Sequence, residues 1–106
     1  MENPWMHTVT LLAANTNYNL GTLMAAISPT PDSVTFLQIQ ADTNGGAAKF
    51  RIGGASLSDT DYGALLTASQ SQTFQDNSGT NLISTSGVYV RCDTAEKVLS
   101  IITLQR

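Results

Sequence analysis

The sequence predicts a mainly β protein: a small β-sandwich or jelly-roll-like barrel with one short helix near the N-terminus. Two patterns carry that expectation. Roughly seven or eight short stretches alternate apolar and polar side chains, with turn residues between them. Only one stretch, 19–27, follows the helical period instead. At 106 residues the chain reads as a single domain, 1–106, large enough to bury a modest core without staples.

In chain order, residues 6–14 read as the first strand, with Val9, Leu11 and Ala13 on one face and Thr8 and Thr10 on the other. Residues 1–8 are also available as an N-terminal arm. Asn15, Thr16, Asn17 and Asn19 break the strand and offer side chains that cap helices. Leu20, Leu23, Met24 and Ile27 then recur at i, i+3, i+4 and i+7, one apolar stripe of a helix. Ser28-Pro29 stops it, because the residue before proline avoids the α region.

The stretch 34–52 reads as a central hairpin. Strand 34–41 runs into a turn at 42–46, where Asn44-Gly45 accepts positive φ, and strand 47–52 returns. In the returning strand Ala48, Phe50 and Ile52 point one way and Lys49 and Arg51 the other. Residues 56–63 form a loop with one helical turn, capped by Ser58 or Asp59 and ended by Gly63. Short strands follow at 64–67 and from 72, then a polar loop at 75–81. A further strand is expected at 82–84. In 88–92, Val88, Val90 and Cys92 point inward. The last strand, 98–104, is apolar on both faces, so it is central or covered by another subunit.

Charged residues make up only 12% of the chain, about half the usual share. A surface with so few charges does little to keep copies apart, which favours partners or self-assembly. The net charge of −3, with five scattered basic residues, argues against nucleic acid. Residues 1–7 lack the features of a secretory signal, and no apolar run approaches the ~20 residues that span a bilayer, so no membrane partner is expected.

Chemistry is sparse. His7 and Cys92 are the single histidine and cysteine, too few for a zinc site or a hydrolase triad. Cys92 reads as a small inward hydrophobe. Asp42-Thr-Asn-Gly45 lacks the ligand pattern of a calcium loop. Asp59 and Asp61, near Tyr62, read as a solvated loop, with weak metal or sugar binding as the alternative. No catalytic residue, cofactor or metal is expected.

Several runs together resemble small virion proteins of tailed bacteriophages. They are Tyr18-Asn-Leu-Gly-Thr-Leu-Met24, Leu37-Gln-Ile-Gln-Ala-Asp42, Phe50-Arg-Ile-Gly-Gly54, Ser58-Asp-Thr-Asp-Tyr-Gly63 and Val88-Tyr-Val-Arg-Cys-Asp-Thr-Ala95, before a closing apolar strand. The resemblance covers most of the chain from about Val9 onward. It implies a non-enzymatic capsid cement or decoration protein, made in the host cytoplasm and placed on the capsid surface of the virion. Such a protein assembles as a homotrimer and bridges subunits of the major capsid protein. The interface residues expected are Trp5 and Met6 in the arm, and Asp76, Asn77, Ser78, Gly79, Thr80 and Asn81 in the long loop. The alternatives are a receptor- or glycan-binding module of a phage fibre, using exposed aromatics such as Tyr62, and a head–tail connector or neck protein.

Overall fold

The structure is a computed structural model that describes residues 3–28, 32–42, 46–75 and 83–105. It is mainly β, with ten strands and one short helix among the described residues. Two four-stranded antiparallel sheets carry the core. Sheet A has the order β1 (Asn3–Leu11), β10 (Lys97–Gln105), β4 (Phe36–Ala41), β7 (Ser71–Gln75). Sheet B has the order β2 (Tyr18–Asn19), β9 (Tyr89–Cys92), β5 (Phe50–Gly53), β6 (Ala64–Leu66). A two-stranded ribbon joins β3 (Ser33–Val34) to β8 (Ile83–Ser84).

The pairing is nested. The innermost pair is β5–β6; around it lie β4–β7, then β3–β8, β2–β9 and finally β1–β10. A long hairpin rolled so that successive pairs fall in alternate sheets gives this pattern, which is the jelly-roll topology. Inward residues meet between the sheets: Val9, Leu11, Leu37, Ile39, Leu99 and Ile101 from sheet A, and Phe50, Ile52, Leu66, Val90 and Cys92 from sheet B. Phe50 is fully buried.

Three sequence expectations are corrected. First, 34–52 is not a hairpin, because β4 and β5 lie in different sheets. Both strands have one apolar face, and these faces are buried by opposing each other across the core. Sheets pack ~10 Å apart, a distance that three or four extended residues cross, so residues 42–49 reach easily. Paired main-chain and side-chain bonds fix the arrival point: Asp93 Oδ1 accepts from Lys49 N–H (2.9 Å) and Asp93 N–H donates to the Lys49 carbonyl (3.2 Å). The turn residues 43–45 lie outside the described residues.

Second, residues 3–8 are not an arm. They belong to β1, which pairs with β10 residue for residue from Asn3↔Gln105 to Leu11↔Lys97. The strand ends at Leu11 rather than at 14, and Asn15 turns the chain at a left-handed φ of 55°. Third, residues 56–63 hold no helical turn. The Ser58 hydroxyl accepts from Thr60 N–H (3.3 Å) and Asp61 N–H (3.0 Å), which closes a side-chain-capped turn instead.

The expected helix is present as α1 (Leu20–Ala25), with Asn19 as its N-cap accepting from Thr22 N–H at 3.1 Å. Leu20 and Met24 are buried, whereas Ile27, the last member of the stripe, is 56% exposed. The helix touches β1 and β2, so it covers the side of the sandwich where both of those edges lie. Strand β10 is central, bonded to β1 on one side and β4 on the other.

Asp32 braces the 3-10 turn Thr85–Gly87. Its carboxylate accepts from Ser86 N–H (2.9 Å) and the Ser84 hydroxyl (3.1 Å). Bonds from the side chain and main chain of Ser86 hold the Asp32 carboxyl below its ordinary value of 3.8. Asp93 is lowered in the same direction, first by the Lys49 amide. A carboxyl lowered in the folded state contributes stability above its unfolded value, and loses it as pH falls through the folded value. Asp32→Asn should therefore lower stability at neutral pH, by less than about 1 kcal/mol because the carboxyl is exposed and solvent screens it. The variant should also lose less stability than wild type between about pH 5 and about pH 2, as read from urea denaturation at each pH.

Candidate functional site

The two outer faces of the sandwich differ in charge. Residues of even number in β1, β4 and β10 and of odd number in β7 point away from the core in sheet A, and registration lines them into rows. Met6, Ile102, Gln38 and Thr73 form one row; Thr8, Ser100, Gln40 and Ser71 form the next. Leu104, Phe36 and Gln75 lie beyond the first row, and Thr10 with Val98 beyond the second. Among the described side chains, these rows hold no charge at all. Met6 is 75% exposed and Ile102 is 36% exposed, giving the face an apolar patch toward its β1 edge. Strand β1 is an edge strand and carries no Asp, Glu, Lys or Arg. Edge strands usually bear such charges to discourage pairing with other chains.

Sheet B is charged. Arg51 on β5 and Arg91 on β9 are direct cross-strand partners. Both guanidinium groups approach one carboxylate oxygen, Asp59 Oδ1, at 3.8 Å and 3.3 Å. The Tyr62 ring lies 5.2 Å from the Arg51 guanidinium carbon, a cation–π contact. Arg91 also donates to Asn17 Oδ1 (3.2 Å) and to the Asn15 carbonyl (3.1 Å). The loop bearing Asp59 and Tyr62 is tacked down by buried Leu57, whose carbonyl accepts from Asn17 Nδ2 at 2.7 Å. Of the two carboxylates flagged in the sequence, Asp59 thus faces arginines, and Asp61 accepts from the Ser56 hydroxyl at 3.2 Å. No local pattern signals the arginine pairing, since register alone brings residues 51 and 91 together.

The expected interface residues fall in different places. Trp5 lies on the inward side of β1, half-buried opposite buried Thr103, while Met6 points outward. Asp76, Asn77, Ser78, Gly79, Thr80 and Asn81 lie outside the described residues.

On the other side, β6 and β7 flank a cavity of about 220 Å³. Ile52, Ala64, Phe74 and Val88 line it with Gln72 and four glycines, and no described lining residue is titratable. His7 is buried and shares a hydrogen bond with the Ser28 hydroxyl at 3.0 Å. Among the described residues, no three His, Cys, Asp or Glu side chains gather to hold a metal. No helix among them is long and apolar enough to cross a membrane. No protein-family model matches this chain, and no curated protein matches it either.

Cys92 is fully buried on the inward face of β9, and burial pushes its thiol up from the ordinary value. A thiolate is the reactive form, so both access and ionisation oppose reaction. Native protein should resist a disulfide reagent such as DTNB at neutral pH, and react stoichiometrically once unfolded in urea. Rapid reaction in the native state would contradict this placement.

Proposed function

We propose that the protein is a non-enzymatic assembly module that associates with further copies of itself through the outer face of sheet A. The observation that carries this reading is the absence of charge among the described side chains of that face. Two copies of a chain with net charge −3 repel weakly, and an uncharged patch is where they meet without placing like charges together. Exposed Met6 and Ile102 give the β1 side of the patch the apolar surface that interface cores bury.

Size limits what this face does alone. Four strands spaced about 4.8 Å apart and about six residues long cover roughly 400 Å² in plan. A standard interface buries about 800 Å² per partner. The flat face therefore supplies about half of a stable contact, and surface beyond it must supply the rest. A ring of copies, or a copy lodged against a larger assembly, meets that need better than one isolated face-to-face pair.

The setting proposed is a capsid cement or decoration protein of a tailed-phage head, a homotrimer on the virion surface that bridges major capsid subunits. Support for this finer reading is the motif resemblance together with the jelly-roll topology, which capsid proteins share with lectins and cupins. The topology enters only as a fold-level analogy.

Light scattering on a size-exclusion column should give a stable trimer of 11.2 kDa chains. The double variant Met6→Asp, Ile102→Asp should run as a monomer while changing stability by less than about 1 kcal/mol, since both side chains are exposed. Wild type that stays monomeric at every concentration would contradict self-assembly. A variant that still forms trimers would remove sheet A from the interface.

A further inference from the structure

Like charges placed directly opposite each other on a sheet are destabilising, yet Arg51 and Arg91 occupy such a pair of positions on β5 and β9. We infer that this pair is a carboxylate-binding site, which Asp59 occupies from within the chain and a carboxylate on a ligand takes over. The inference is independent of the assembly role of sheet A.

The resident carboxylate fits the site poorly. Asp59 reaches both arginines through Oδ1, at 3.3 Å and 3.8 Å. Charge-assisted bonds between a guanidinium and a carboxylate are shorter, about 2.7–2.9 Å, and frequently two-pronged. Within ion-pair distance a single carboxylate faces the two guanidinium groups, and the further negative charge that Arg51 feels, Asp93, is engaged by the Lys49 amide. The Nε–H groups of both arginines are buried with no acceptor. Buried donors without partners are rare and call for a cause, a missing ligand among them.

The arginines themselves are set in place. Each side chain is only 14% exposed. The Tyr62 ring lies against Arg51, and Asn17 with the Asn15 carbonyl holds Arg91. A ligand would meet forks that are already ordered, which lowers the entropy cost of binding.

Asp59, by contrast, is free to leave. Its side chain is 58% exposed, at the tip of the turn closed by Ser58, while buried Leu57 anchors the loop beneath it. Swinging that tip outward exposes the guanidinium edges without unpacking the core. A planar carboxylate is the matching ligand because a carboxylate is what the pair already receives. It would come from an acidic sugar or from an acidic protein side chain.

The test is a titration with sodium acetate against sodium chloride at matched ionic strength, followed by NMR at the arginine Nε–Hε resonances. Wild type should show saturable shifts at Arg51 and Arg91. Asp59→Asn removes the internal competitor and should saturate at an acetate concentration at least about threefold lower, and Arg91→Gln should abolish the response. Because Asp59 is exposed, its variant decides the matter even if Arg91→Gln fails to fold. Shifts that never saturate, or that are unchanged by Asp59→Asn, would overturn the proposal. Repeating the titration with glucuronate and with N-acetylaspartic acid amide distinguishes the sources. Tighter binding of the first assigns the carboxylate to an acidic sugar, and tighter binding of the second to a protein side chain.

Discussion

Strand β10 is the element on which the rest of the sandwich depends. It bonds along its whole length to β1 and along most of it to β4, so it joins the two ends of the chain. Without it, β1 would have no partner in sheet A and the outer rows of that face would not exist. Leu99, Ile101 and Thr103 point from it into the core, and Ser100, Ile102 and Leu104 point away. One strand thus sets both the packing between the sheets and the character of the surface. Its pairing with β1 is also the most distant in sequence. The nested pairs outside β5–β6 all carry large loop-closure entropy, which makes a fold of this kind slow to form.

Much of this architecture could be read from the sequence because a period of two specifies which face a residue takes. Phe50 with Ile52, and Val90 with Cys92, point inward as their alternation indicates. The helix is legible for a similar reason: Asn19 caps it and Leu20 and Met24 are buried. Alternation does not specify the neighbour of a strand, so 34–52 carries the pattern of a hairpin without forming one. Asn44-Gly45 is a hairpin signal, but the two strands gain more by facing each other across the core than by lying side by side. The true hairpin is β5–β6, whose connection is long and includes the Asp59 loop. The N-terminal strand likewise lies three residues earlier than its alternation indicates, 3–11 against 6–14, because pairing with β10 and not a local pattern sets its limits.

The surface follows the same division. Low overall charge was visible in the composition, but its consequence depends on where the few charges go. Folding places two of the five basic residues side by side on sheet B and leaves the outer rows of sheet A with none among the described side chains. Residues 51 and 91 lie far apart in sequence, so register is the only thing that unites them. Asp59 and Tyr62 were visible as a polar loop, but not as groups lying over arginines. The protein therefore presents a neutral, partly apolar side and a charged side, and these suit different kinds of contact: broad association on one and a small acidic group on the other.

For copies proposed to meet on the outer face of sheet A, Met6 is the direct reporter. Its side chain is 75% exposed in the isolated chain, whereas Met24 is buried and serves as an internal control. The decisive measurement is the rate of Met6 oxidation by dilute peroxide, read by peptide mass spectrometry at low and high protein concentration. Met6 should be oxidised readily when dilute and protected when concentrated, with Met24 slow throughout. Equal oxidation of Met6 at both concentrations, in a sample shown to be oligomeric, would place the interface elsewhere and contradict the account.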